Sequence, residues 1–82
     1  MDSFNPEVYY GIGHIYTYYL NDYEKGLQNM CKAYNLYIKK KSPYRVDAEK
    51  IISTIYSEMK KQDKVDKFNE ILKVNNITAN FN

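Results

Sequence analysis

Apolar residues recur at helical spacing in four stretches of the chain. The first stretch opens with Asn5-Pro6-Glu7, where an Asn cap, a proline and an acid suit the first helical turn. Its apolar positions are Val8, Ile12, Ile15, Tyr16 and Tyr19. This spacing predicts a helix that starts near residue 5 and ends before a turn at residues 20–23.

A second helix is predicted after that turn. Asn21, followed by Glu24 three residues later, resembles a capping box at its start. Its broad apolar face comprises Tyr23, Leu27, Met30, Cys31, Tyr34, Tyr37 and Ile38. Three lysines at 39–41 suit the carbonyl end of a helix, so we expect the helix to end there.

Two further helices follow. Ser42-Pro43 predicts the start of the third, and Asp63 is expected to cap the fourth, which ends near residues 74–76. The predicted buried positions are Ala48, Ile51, Ile52, Ile55, Tyr56 and Met59, then Val65, Phe68, Ile71 and Leu72. The sequence therefore predicts an all-α, antiparallel four-helix array.

The two halves of this array resemble each other. Gly13 and Tyr16 match Ser53 and Tyr56 at an offset of 40 residues. At an offset of 41, Leu27, Met30, Cys31, Lys32 and Ala33 match Phe68, Ile71, Leu72, Lys73 and Val74. Self-similarity at this period is typical of stacked helical hairpins.

The first half resembles a tetratricopeptide (TPR) repeat. The residues that carry the resemblance are Tyr9, Ile12-Gly13, Tyr16, the turn Asn21-Asp22-Tyr23, Gly26, Met30 and Ala33. The second half resembles the family less closely, because Ser53 replaces the motif glycine and Phe68 lies near a position that is usually small. The resemblance implies one domain over residues 1–82, with repeats at about 5–41 and 42–75 and a flexible tail at 76–82.

Gly11 and Gly13 lie inside the first predicted helix, where each costs about 1 kcal/mol relative to Ala. We expect Gly13 to permit close approach of the second helix, because it lies on the side that should meet it. Gly26 stands at a position that the TPR motif keeps small.

Charge and composition narrow the functional classes. The net charge of +2 and the interspersed acids and bases do not favour nucleic acid. The basic residues that such a partner would use are Lys39, Lys40, Lys41, Arg45, Lys60, Lys61 and Lys64. The chain has one cysteine, no apolar run that would span a membrane and no signal-peptide pattern, so we expect a cytoplasmic protein or a piece of one.

The residues do not suggest catalysis. His14 is the only histidine, and a nucleophilic role for Cys31 would require an accessible thiol. Cys31 is expected in the core, and neither a metal-ligand cluster nor a phosphate-binding loop is visible. We therefore expect no enzyme activity, no cofactor and no metal.

The TPR resemblance implies a groove, lined by the first helix of each repeat, that holds an extended peptide or a partner helix. By position, the groove residues are Glu7, Tyr10, His14, Thr17 and Tyr18, then Asp47, Lys50, Thr54, Ser57 and Glu58. The alternative is that these positions simply face solvent. The sequence thus predicts a non-catalytic module that binds a protein or peptide as an adaptor or regulator.

Two alternatives stay open. Instead of such a module, the chain would be a self-associating structural piece or the C-terminal repeat segment of a larger peptide-sensing regulator. We expect the short polar tail to leave apolar residues uncovered, namely Val65, Phe68, Ile71, Leu72 and Val74 of helix four and Tyr34, Tyr37 and Ile38 of helix two. Such a surface predicts a homodimer or docking on a larger protein.

Overall fold

The computed structural model describes residues 5–81. It contains four α-helices, α1 (Pro6–Tyr18), α2 (Tyr23–Lys39), α3 (Arg45–Lys61) and α4 (Val65–Val74). No strand occurs within 5–81, which confirms the predicted all-α array. Helix α2 is central, because α1 packs along it and both α3 and α4 also contact it. None of the helices in this part of the chain is long and apolar enough to cross a membrane.

The start of α1 is as predicted, whereas the start of α2 is one residue later. The backbone N–H of Glu7 donates to Asn5 Oδ1 at 3.0 Å, and Pro6 opens the helix. The cap of α2 is Asp22, whose Oδ1 accepts from the backbone N–H of Lys25 at 3.2 Å. The capping-box prediction for Asn21 is wrong, because Asn21 adopts a left-handed backbone with φ 53°.

The predicted caps of α3 and α4 are also displaced. Ser42 Oγ accepts from the backbone N–H of Tyr44 at 3.2 Å, so Ser42 shapes the preceding turn while α3 begins at Arg45. Asp63 has φ 61°, and Lys64 takes the cap position of α4 without a side-chain hydrogen bond.

A non-glycine residue in the left-handed region follows each of the four helices. These residues are Asn21, Lys41, Asp63 and Asn76, with φ between 53° and 61°. After α2, the next backbone N–H, of Ser42, donates to the Tyr37 carbonyl at 2.8 Å, which is the hydrogen bond of a Schellman ending. Glycine usually occupies such a position, because it adopts this conformation without strain, but here each position has a residue with a side chain.

Helices α1 and α2 meet through their smallest residues. A Cβ atom on Gly13 would stand 3.1 Å from the Gly26 carbonyl oxygen, and a Cβ atom on Gly26 would overlap Thr17 Oγ1. A Cβ atom on Gly11 would meet nothing within 4 Å. The prediction that Gly13, not Gly11, permits the close approach of α2 is confirmed.

The core lies between α2, α3 and α4. It contains most of the predicted apolar positions, namely Leu27, Met30, Cys31, Tyr34 and Tyr37 of α2, Ala48, Ile51, Ile52, Ile55 and Met59 of α3, and Phe68, Ile71 and Leu72 of α4. Helix α1 behaves differently, because it buries Pro6, Gly13 and Thr17 and leaves most of its larger apolar side chains exposed.

The segment after α4 packs back on the core. Ile77 and Phe81 are buried, and the Phe81 ring lies 5.6 Å from the Tyr34 ring in an edge-to-face arrangement. Asn35 Nδ2 also donates to the Asn75 carbonyl at 2.8 Å. The expectation that this tail would leave the apolar residues of helix four uncovered is wrong for Phe68, Ile71 and Leu72, which are buried, whereas Val74 is 75% exposed.

Candidate functional site

Three ring-bearing residues line one flank of α1. Tyr10, His14 and Tyr18 are four residues apart, so their side chains follow one another along the helix. The ring centroids of Tyr10 and His14 are 6.4 Å apart, and those of His14 and Tyr18 are 4.7 Å apart. His14 is half-buried and Tyr18 is 46% exposed. We call this set the aromatic row.

Tyr10 connects the aromatic row to the other helices. Its ring lies 6.5 Å from that of Tyr37, edge to face, and the Tyr37 ring lies 6.1 Å from that of Tyr44, just before α3. The sequence predicted Tyr37 on the apolar face of α2, near an end of the helix expected to stay uncovered, and did not single out Tyr44. That expectation is wrong for Tyr34 and Tyr37, which are buried, while Ile38 is exposed. The available signal was the position of Tyr37 at the end of α2, beside the turn into α3.

Two carboxylates flank the Tyr10 end of the row. Burial, then a hydrogen bond with Glu7 and the negative charge of Glu7, raise the pKa of Tyr37 to about 12. Burial, then the negative charge of Asp47, raises the pKa of Tyr10. Both phenols therefore stay protonated at neutral pH. Among the ion pairs of residues 5–81, none includes Glu7 or Asp47.

Thr17 does not belong to this surface. It is only 2% exposed, and its hydroxyl donates to the Gly13 carbonyl at 2.7 Å in the contact between α1 and α2. The prediction that Thr17 faces a partner is therefore wrong. Helical spacing alone places Thr17 close to Tyr10 and His14, but the close approach of α2 at Gly26 covers it.

The remaining predicted groove residues are accessible to different degrees. Glu7 on α1 and Lys50 and Thr54 on α3 are exposed. The Thr54 hydroxyl donates to the Lys50 carbonyl at 3.1 Å, so it is engaged within its own helix. Tyr10 is half-buried and packs against the core, which makes it part of the fold as well as of the aromatic row.

A nucleophilic role for the cysteine of this chain would require an accessible thiol. Cys31 is completely buried, and burial raises the pKa of its thiol to about 12. A neutral thiol without solvent contact is a poor nucleophile. Within residues 5–81, no group of three or more His, Cys, Asp or Glu side chains is placed to hold a metal ion.

Several of the basic residues considered for nucleic acid lie beside carboxylates. The ion-pair distances are 2.9 Å from Arg45 to Glu49, 3.3 Å from Lys61 to Glu58 and 3.6 Å from Lys64 to Glu24. Each pair lowers the local positive potential that a phosphate backbone would meet.

The chain matches no protein-family model, no curated protein and no solved structure.

Proposed function

We propose that the chain is a non-catalytic module that binds a protein or peptide, as an adaptor or regulator, through the surface between α1 and α3. The observation that carries this proposal is the aromatic row, which runs from the half-buried Tyr10 to the exposed Tyr18. Adjacent, partly exposed aromatic rings are enriched where proteins contact partners, because each ring offers large apolar area at a small entropic cost.

The flanking charges favour a ligand with a basic side chain. Glu7 and Asp47 lie at the Tyr10 end of the row, and no Lys or Arg among the described residues pairs with them. A Lys or Arg of the ligand would pair with these carboxylates and also stack on the neighbouring rings. Lys50 and Thr54, which the TPR resemblance assigns to the same groove, are exposed on α3.

The proposal includes a TPR-like arrangement of the two hairpins. The resemblance places small residues at Gly13 and Gly26, and the backbones of α1 and α2 approach each other at these two positions. A cytoplasmic setting belongs to the same proposal, because a single buried thiol such as Cys31 suits a reducing compartment.

A second candidate is a self-associating piece, or the C-terminal repeat segment of a larger peptide-sensing regulator. The observation in its favour is the exposed apolar side of α1, which the aromatic row does not include.

The proposed function is tested with a phage-displayed library of random peptides selected on the immobilised 82-residue chain. We expect enrichment of peptides that contain Lys or Arg beside an aromatic or aliphatic residue. The double change His14→Ala/Tyr18→Ala should weaken a selected peptide more than tenfold in fluorescence polarisation. Tyr10 is left intact, because it packs on Tyr37 and its loss would also destabilise the fold.

Tyr16→Ala is the matched control, since Tyr16 lies on the opposite flank of α1 and should not contact the peptide. Circular dichroism would verify that both variants remain helical. Unchanged affinity in a folded His14→Ala/Tyr18→Ala variant would place the binding surface elsewhere. Failure to enrich any peptide would contradict the peptide-binding proposal.

A further inference from the structure

Four apolar side chains on one side of α1 face solvent. Val8, Ile12, Ile15 and Tyr19 are 53%, 40%, 50% and 74% exposed, respectively. Their spacing of four, three and four residues places them on one face of the helix. We call this set the apolar stripe. A contiguous apolar surface of this kind usually marks an interface.

The internal repeat allows α1 to be compared with α3, whose equivalent face is covered by a neighbouring helix. At the offset of 40 residues that aligns Gly13 with Ser53, the stripe corresponds to Ala48, Ile52, Ile55 and Met59. All four are completely buried, and α3 packs mainly against α2. The apolar stripe therefore lies at the helical positions that α3 buries against a neighbouring helix.

The charge pattern of α1 indicates what kind of surface would cover the stripe. Between Glu7 and Asp22 the sequence contains no Asp, Glu, Lys or Arg. The exposed sides of α2, α3 and α4 all carry charged residues, including Lys32, Lys60 and Lys67. Packing such a side on the stripe would desolvate charges that have no partner there, whereas a second α1 brings none.

Gly11 lies at the edge of the stripe, three residues after Val8 and four before Ile15. It is exposed, and no atom lies within 4 Å of the position that a Cβ atom would occupy. A second backbone could therefore approach α1 closely at this point. Two identical apolar stripes that meet beside such a point form a self-complementary contact, which closes as a two-fold dimer.

The opposite end of the array carries no corresponding stripe within residues 5–81. The apolar residues Phe68, Ile71 and Leu72 of α4 are buried inside the chain, and Ile77 and Phe81 fold over the same region. Val74 is the one large apolar side chain that α4 exposes, so stacking of one copy's α1 on another copy's α4 would meet no matching stripe.

We propose that the apolar stripe packs against the same stripe of a second copy of this chain, with the two α1 helices crossing near Gly11. One helix face is smaller than the roughly 800 Å² per partner of a standard interface, so we expect a dissociation constant on the order of 10 µM. The stripe adjoins the aromatic row at Tyr19, whose ring lies 6.2 Å from that of His14, so the test of dimerisation uses Ile15 rather than Tyr19.

The dimer is tested by sedimentation equilibrium of the 82-residue chain from about 1 to about 500 µM, a range that spans the expected dissociation constant. Wild type should pass from monomer to dimer. Ile15→Lys, which buries a charge in the contact, should weaken dimerisation more than tenfold. Val74→Lys is the matched control, because it places the same charge at an exposed apolar position of α4 and should dimerise like wild type.

A second measurement does not depend on the Ile15 variant. Gly11→Cys should form a covalent dimer under mild oxidation and Val74→Cys should not, while the buried Cys31 stays unreactive. A wild-type chain that is monomeric at every concentration would overturn the proposal. So would a folded Ile15→Lys variant that dimerises normally.

The dimer proposal would also be overturned if a monomeric chain bound a synthetic peptide of residues 23–39 at the stripe, since a different helix would then be the occupant. Peptides selected on the aromatic row should still bind Ile15→Lys. Failure of the dimer and failure of the proposed peptide site are therefore distinguishable.

Discussion

The hydroxyl of Thr17 lies so close to the Cα atom of Gly26 that a methyl group on Gly26 would overlap it. The hydroxyl is held in place, because it donates to the Gly13 carbonyl at 2.7 Å one turn earlier in α1. Only a residue without a side chain fits α2 opposite this group. The pair therefore sets how closely α1 and α2 approach each other.

Gly26→Ala should lower the free energy of unfolding by about 2 kcal/mol, because the added methyl group overpacks this contact. Gly11→Ala is the control, since it adds the same group to an open helix position and should raise stability by up to about 1 kcal/mol. Urea denaturation followed by circular dichroism measures both.

The Thr17 hydroxyl itself can be tested as the source of the overlap. In a Thr17→Ala background, Gly26→Ala should cost at least about 1 kcal/mol less than in wild type, because the two groups are in direct contact. Strictly additive effects of the two changes would show that Thr17 does not limit the size of residue 26.

Lys41→Gly should stabilise the chain by about 1 kcal/mol. Lys41 has φ 55°, a conformation that costs a side-chain-bearing residue about 1–2 kcal/mol and glycine almost nothing. Its neighbour Lys40 has φ −86°, so Lys40→Gly should instead lower stability slightly. Thermal melts that shift in the same direction for both variants would contradict the left-handed ending of α2.

The stability of the chain should fall in alkaline solution because of Cys31. Burial raises the pKa of its thiol from the ordinary value of 9.0 to about 12, so the folded state holds this proton more tightly than the unfolded state. The resulting stabilisation is complete below pH 9 and is lost as the pH rises from 9 to 12, by about 1.4 kcal/mol per unit.

Urea midpoints measured between pH 8 and pH 10 should therefore decline for wild type and change less for Cys31→Ala. Tyr37, whose pKa is also raised to about 12, contributes a similar loss only above its ordinary value of 10.0. Equal declines in wild type and Cys31→Ala over this range would mean that the Cys31 thiol is not protected in the folded state.

Phe81→Ala should destabilise the chain by about 2 kcal/mol, because it removes a buried ring that packs edge to face on Tyr34. Thr78→Ala, at an exposed position of the same segment, should stay within about 0.5 kcal/mol of wild type. Similar, small effects of both changes would indicate that the segment after α4 does not hold the core together.

Helical periodicity identified the four helices and most of the buried face of α2, α3 and α4. It succeeded there because an amphipathic helix repeats its apolar positions whatever it packs against. The turns were predicted less well. Asn and Asp are both suited to a helix cap and to a left-handed turn position. The sequence therefore left undetermined which of Asn21 and Asp22 caps α2 and which adopts the left-handed conformation.

The sequence by itself determined that α1 has a glycine, Gly13, on one side and apolar residues on another, but not which neighbour each side would meet. Tertiary structure decided that α2 covers Gly13 and Thr17, because only small residues permit that close contact, and that the apolar stripe therefore faces outward. It also brought Tyr10, Tyr37 and Tyr44 together from three separate parts of the chain. A periodic pattern describes one helix at a time, whereas such a cluster depends on how three segments pack.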